Sequence, residues 1–227
     1  MPNKTTMALQ VIYEDNHLIA INKPSGIAVQ QDDWDETPLT DYVKEYIKEK
    51  YNKPGLVFLE AVHRIDKPVT GVILFARTSK ALERMNLAFK ERAVQKVYRA
   101  VVVNRPKLEH VTLVNYLKKD KEKNKSRAYD IEVSDSKRAE LSFELISYHS
   151  GHSLLEIRPL TGRPHQIRVQ LSAIGLPIKG DLKYGYPSPN PDKSICLHAY
   201  SLAFEHPVTK IPVLIQAPIP RNGQWIS

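Results

Sequence analysis

The stretch from His63 to Gly71 sets an imidazole, a guanidinium, a carboxylate and an ammonium almost side by side, as His63-Arg64-Ile65-Asp66-Lys67. It lies between the apolar runs Leu56-Val57-Phe58-Leu59 and Val72-Ile73-Leu74-Phe75-Ala76, so it reads as a charged loop at a strand junction. A fold does not require those four groups at one turn, and loops held between rigid elements are where chemistry concentrates. Asp66 has Arg64 and Lys67 as neighbours, and positive neighbours favour an ionised carboxylate. An ionised carboxylate suits a nucleophile better than a general acid. Asp66 has a plainer reading as well, as a turn or cap aspartate.

A second segment, Thr161-Gly162-Arg163-Pro164-His165-Gln166-Ile167-Arg168, also holds more polar function than a helix start needs. Arg163 precedes the helix, and His165 and Arg168, three apart, share a helical face. A helix-borne arginine suits a bidentate pair with a carboxylate; its plain reading is a surface arginine. Tyr98 sits on a strand face with Lys96, Ala100 and Val102, either as a core tyrosine or as a platform for a flat base. His63, His165 and His198 have no metal-ligand spacing and read as hydrogen-bonding residues of the structure. The chain has no Gly-rich phosphate loop and no Gly-x-Ser-x-Gly elbow.

The elements that must position these groups follow from patterning. Residues 11–22 read as two short strands around Asp15-Asn16. Thr37-Pro38 reads as a helix cap with Pro in the first turn, followed by Leu39, Tyr42, Val43, Tyr46 and Ile47 at helical spacing. Val72 to Arg77 reads as a central strand. Ser79 is placed to cap a helix with Leu82, Met85 and Phe89 on its inner face. Gln95 to Val103 reads as a long strand, and 118–127, dense in lysine, as an exposed hairpin tip or loop that is either solvated or an RNA contact. Strands at 140–147 and 153–159 flank Ser150-Gly151. Gly162-Arg163-Pro164 starts a helix with the stripe Ile167, Leu171, Ile174, and Gly175 ends it. Late strands cover 195–204 and 211–217. Few helices and hairpin order predict an α+β fold, a mostly antiparallel mixed β-sheet flanked by helices.

With 227 residues, the chain is long enough for one large domain with a real core. A net charge of +8 favours an anionic partner such as nucleic acid, though a soluble basic protein without one has the same charge. One cysteine, Cys196, excludes intrachain disulfides and Cys-based metal clusters, and its apolar setting reads as an inert thiol. Met1 to Leu9 lacks the apolar stretch of a signal peptide, and no apolar run is long enough to span a membrane, so a cytoplasmic location is expected.

Taken together, the motifs resemble a known family. The segment from His63 to Thr78 is similar to the signature of the RluA family of RNA pseudouridine synthases, roughly H-R-L-D-x-x-[ST]-G followed by an apolar strand. Ile21-Asn22-Lys23-Pro24-Ser25-Gly26, Lys96-Val97-Tyr98-Arg99-Ala100, Thr161 to Val169, Gly180-Asp181-Leu182-Lys183-Tyr184-Gly185 and Leu197-His198-Ala199 resemble further family blocks in the family's order. Ile65 stands where Leu is commoner, and Gln170 where His is usual.

The resemblance implies the pseudouridine synthase fold over residues 11–227 after a tail at 1–10, with no separate N-terminal RNA-binding domain. It implies isomerisation of uridine in ribosomal or transfer RNA without a cofactor or metal. Asp66 would be the catalytic carboxylate, Arg168 its partner, and Tyr98 the residue that stacks on the base and acts in a late proton transfer. Arg64 would enter the space left by the extruded uridine, and Leu197 would pack on the base from the other side. His63 and Arg163 are placed beside the substrate by their positions in these blocks. The partner is RNA, and action as a monomer is expected. Two other readings stand beside this one: an RNA-binding protein on the same fold without catalysis, and a hydrolase with an Asp nucleophile.

Overall fold

Alternation along two adjacent strands sets the layers. In β2 (Leu18–Lys23), Leu18 and Ala20 join one buried cluster while Ile19 and Ile21 join another. β4 (Thr70–Ala76) divides the same way, with Val72, Leu74 and Ala76 on one side and Ile73 and Phe75 on the other. Successive strand residues face opposite sides of a sheet, so both strands are covered twice. The covers are helices: α1 (Leu39–Lys50) brings Leu39, Val43 and Ile47 to the side of Ile19 and Ile73. On the other side, α2 (Ser79–Lys90) brings Ala81 and Met85 to Leu18 and Leu74. This computed structural model describes residues 7–31 and 37–225.

The other strands are β1 (Val11–Glu14), β3 (Glu60–Ala61), β5 (Gln95–Val103), β6 (His110–Asp120), β7 (Lys125–Tyr129), β8 (Lys137–His149), β9 (His152–Pro159), β10 (Leu197–Glu205) and β11 (Pro212–Gln216). All join one 11-stranded sheet in the order β1-β2-β4-β10-β5-β9-β8-β6-β7, with β11 against β10 and β3 against β4. Among the described residues only the β4–β10 pairing is parallel. The sheet is therefore the expected mostly antiparallel mixed sheet, flanked by helices. The parallel pair is where glycine is required. Gly71 has φ +110°, and a Cβ there would stand 2.2 Å from the Ala199 carbonyl oxygen. Only a residue without a side chain lets β4 and β10 begin so close together.

Element ends depart from expectation for local reasons. Pro38, not Thr37, holds the N-cap of α1 and makes no side-chain cap; the β2–α1 connection supplies the acceptors instead, Leu39 N donating to Ala28 O at 2.8 Å and Thr40 N to Val29 O at 3.1 Å. Thr78 rather than Ser79 caps α2, its hydroxyl accepting from Ala81 N at 3.2 Å. The third helix, α3 (Gln166–Ala173), starts after Pro164 instead of at it, with His165 at its N-cap in the left-handed region (φ 56°). The Gln166 side chain explains the delay. Its Oε1 accepts from Thr161 Oγ1 and Arg163 N, and its Nε2 donates to Glu140 O, so 161–165 is held as a loop. Ile167 and Leu171 are buried as expected, but Ile174 lies beyond the last turn and is exposed. Gly175 (φ +78°) does close the helix. The apolar run 56–59 is not a strand; Leu59 is buried and Leu56 fully exposed. Of the expected tail, 1–6 lie outside the described residues, while Met7 and Leu9 pack on the main core.

Candidate active site

Asp66 stands on a loop that is pinned on both sides. Ile65 and Val69 drop into the main core around it, and Val69 N donates to Asp66 O at 3.0 Å, closing a turn. The next carbonyl, Lys67 O, accepts from Gly26 N at 2.9 Å and from Lys23 Nζ at 3.0 Å. Lys23 ends β2 and is wholly buried, and its ammonium also donates to Pro24 O and Ile27 O, both at 2.9 Å. Burial draws its pKa down to about 7, against the opposing pull of the Asp66 charge. A buried cation thus ties the turn after β2 to the Asp66 loop through backbone oxygens.

The partner of Asp66 comes from 102 residues away. Arg168 Nη1 donates to Asp66 Oδ2 at 2.9 Å. The rest of the guanidinium is clamped by Asp181, with Nε to Oδ2 at 2.7 Å and Nη2 to Oδ1 at 2.8 Å. Burial disfavours the charged arginine, but Asp181 and Asp66 outweigh it and raise its pKa above the ordinary value. The Tyr184 ring lies 5.0 Å from the guanidinium carbon. Arg168 is thus fixed on three sides, and it presents one nitrogen to Asp66. Among the described residues Asp66 Oδ1 has no hydrogen-bond partner.

Tyr98 lies on β5, opposite Ala199 of β10, and is half-buried against the main core. Burial and then the Asp66 charge push its hydroxyl's pKa upward, and among the described residues that hydroxyl has no hydrogen-bond partner. Leu197 is buried in the same apolar layer, opposite Ala100. Arg64 is exposed on the Asp66 loop and makes no hydrogen bond or ion pair among the described residues. His63 turns to the α2 side: its Nε2 accepts from Leu74 N at 3.1 Å and its ring stacks on Phe89. Burial, then nearby Lys96, hold it neutral, with a pKa of about 3. Arg163 donates from Nε to Arg138 O at 3.1 Å. No hydrogen bond or ion pair among the described residues links His63 or Arg163 to Asp66. His198 is a structural residue as read, with Nδ1 against Thr70 Oγ1 at 2.7 Å and Nε2 against Ala217 O at 3.2 Å. Cys196 is buried, which raises its thiol pKa to about 11.

Asp181, Tyr184 and Lys23 carry no role legible from sequence alone, although each lies in one of the family-like motifs. The signal for Asp181 was its glycine. Gly180 has φ +85°, and a Cβ there would press on Asn190 and Ser194 O at 2.5–2.7 Å, so the backbone before Asp181 admits no side chain. No cluster of metal-ligating side chains occurs among the described residues.

The profile of the family described as RNA pseudouridylate synthase matches residues 17–173. Over 219 residues the chain is 33% identical to ribosomal large subunit pseudouridine synthase C of Vibrio vulnificus (strain CMCP6), covering 92% of this chain and 65% of that one, so it spans just under two thirds of that relative. It is 32% identical over 203 residues to the dual-specificity RNA pseudouridine synthase RluA of Haemophilus influenzae, covering 88% of this chain and 89% of that one. Human RNA pseudouridylate synthase domain containing 4 superposes with TM-score 0.77 at 24% identity, covering 93% of this chain and 89% of that one, which shows a shared fold.

Proposed function

This chain belongs to the RNA pseudouridylate synthase family, and from that premise we propose that it isomerises uridines in structured RNA, ribosomal or transfer, to pseudouridine, with Asp66 as the reacting carboxylate. The observation that carries this reading is the 2.9 Å pair between Asp66 and an Arg168 already locked by Asp181. It fixes a carboxylate at the head of a buried strand with one oxygen held and the other open.

The reaction breaks the N1–C1′ bond and makes a C5–C1′ bond; N1 gains a proton and C5 loses one, so no net oxidant or co-reactant is required. The detached base must be kept in place and turned, which is a positioning task. Asp66 serves it by bonding C1′ or C6, or by taking a proton in a glycal route. Tyr98 offers its ring to the base and its hydroxyl to a late proton transfer; burial and the Asp66 charge raise its pKa, so the resting residue is the neutral phenol. Leu197 backs the base from the same apolar layer.

Extruding a stacked base costs a few kcal/mol. Arg64, exposed on the Asp66 loop and free of protein partners among the described residues, is suited to fill the gap. The phosphates meet a net charge of +8. Among the described residues no helix is long and apolar enough to cross a membrane. Action as a monomer in the cytoplasm completes the reading, the location supported by a relative named for the ribosomal large subunit. The test is to treat RNA that lacks pseudouridine with the protein and with Asp66→Ala, then map the modification. Pseudouridine is expected with the first and not the second; formation by both, or by neither, would overturn the assignment.

A further inference from the structure

His165 faces Asp66 from the arginine's side, with Nε2 3.9 Å from Oδ2, the same oxygen that Arg168 holds. Its other nitrogen, Nδ1, lies 2.8 Å from the Tyr184 hydroxyl. That hydroxyl already accepts from Ser126 N at 2.8 Å. A phenol has a single hydrogen to give. With Ser126 N–H pointing in, and no other acceptor for the phenol among the described residues, that hydrogen goes to His165 Nδ1. The imidazole is then the Nε2–H tautomer, with its hydrogen on the Asp66 side. Burial is the first influence on the ring and keeps it neutral at neutral pH, Asp66 opposing and Arg168 adding to the effect. The 3.9 Å gap is therefore not an ion pair, and it is too long for a hydrogen bond.

The backbone is committed to this placement. His165 has φ 56°, a left-handed conformation costly for most residues, at the N-cap of the helix that carries Arg168. Ser126 is buried and donates its hydroxyl to Pro164 O at 2.8 Å, which fixes the β7 end of the relay to the loop before His165. Three elements, β7, the 3-10 turn Leu182–Tyr184 and α3, converge to orient one imidazole hydrogen.

We propose that His165 is a positioning residue for Asp66: oriented by Ser126 and Tyr184 as its Nε2–H tautomer, it stands beside Oδ2 as a second donor, and so reserves Oδ1 as the oxygen that reacts. As Oδ1 engages the substrate, a small shift of the carboxylate brings Oδ2 within reach of Nε2–H, and Arg168 and His165 together oppose the rotation that would exchange the two oxygens. This rests on the reading of Asp66 as the reacting carboxylate.

His165→Asn isolates the claim. Asparagine tolerates the left-handed backbone and places an amide where Nδ1 meets Tyr184, but it does not extend to Asp66. The single-turnover rate on pseudouridine-free RNA should fall about tenfold to a hundredfold, with the Kd for RNA and the Tm close to those of the parent. An unchanged rate, or a loss matched by weaker RNA binding or unfolding, would overturn it. Nitrogen-15 NMR of the ring gives a readout that needs no turnover. The parent should carry its proton on Nε2; in Tyr184→Phe, with the hydroxyl gone, both tautomers should appear. A parent protonated on Nδ1 sinks the inference even if RNA is modified. A parent that modifies no RNA yet shows the Nε2–H tautomer contradicts the proposed reaction and leaves the His165 geometry standing.

Discussion

Arg168 illustrates how far single residues were legible. From sequence it was either a surface arginine or the partner of a carboxylate, and the resemblance favoured the second. Its clamp was out of reach, because nothing ties residue 168 to residue 181 until α3 and the loop after it fold together. The clamp separates two substitutions that sequence alone would treat alike. Asp66→Ala leaves Arg168 with both Asp181 contacts, and the Asp66 side chain is 30% exposed, so the loss of stability should stay below about 1 kcal/mol. Arg168→Met strands the Asp181 carboxylate, which is 1% exposed, and breaking a buried pair this way costs about 3–5 kcal/mol. Thermal unfolding should show a Tm near the parent's for Asp66→Ala and a large fall for Arg168→Met. Equal Tm values would mean that the Asp181 clamp does not hold in solution. Arg168→Met is thus a probe of folding before it is a probe of catalysis.

Most strands were legible as elements because two-residue alternation survives burial, as in 140–147 and 153–159, which became β8 and β9. The helix starts were not, since the groups that open α1 and delay α3 are a loop carbonyl at Ala28 and the side chain of Gln166, set by tertiary contacts. Lys23 is the sharpest case: a lysine at the end of an apolar strand, buried among three carbonyls, of which Lys67 O ties it to the Asp66 loop. Its pKa of about 7 in the fold lies below the value of about 10.4 expected when unfolded. Between those values the unfolded chain binds more protons, so this residue makes stability rise with pH across that window; below about 7 its contribution is flat. Lys23→Met should lose that component, so the Tm of the parent should climb relative to the variant as pH goes from about 7 to about 9. Parallel Tm profiles would refute it. Gly71→Ala makes the companion prediction for the strand pair. The Cβ would meet the Ala199 backbone at 2.2 Å, with φ +110° unfavourable as well, so soluble folded protein should be largely lost. Recovery of a variant with parental Tm would show that β4 and β10 can separate without cost.

At the scale of the whole molecule, the positive charge is unevenly placed. Residues 118–127 hold six basic side chains against Asp120 and Glu122, a surplus of four out of the chain's +8. The segment is the end of the β6–β7 hairpin, whose turn at 121–124 is exposed. Its β7 side adjoins the site. Ser126 meets the Tyr184 hydroxyl, Lys125 Nζ lies 5.2 Å from the Tyr184 ring, and Lys183 Nζ donates to Asn124 O at 3.1 Å. Tyr184 in turn packs on Arg168, so Lys125 and this side of the hairpin stand one residue layer from the Asp66 pair. Folding does not call for such a concentration of like charge, which repels itself; under the proposed function it would meet a phosphate backbone entering beside the target nucleotide. Lys119, Lys121 and Lys123 are exposed, and changing all three to Ser should leave the Tm nearly unmoved. Each phosphate contact contributes about 0.7 to 0.9 to the slope of log affinity against log salt, so three lost contacts should flatten that slope by about two and weaken RNA binding most at low salt. Titration of RNA into both proteins across a salt series is the measurement. An unchanged slope would remove the hairpin from the RNA interface and leave its charge without a role in the reaction.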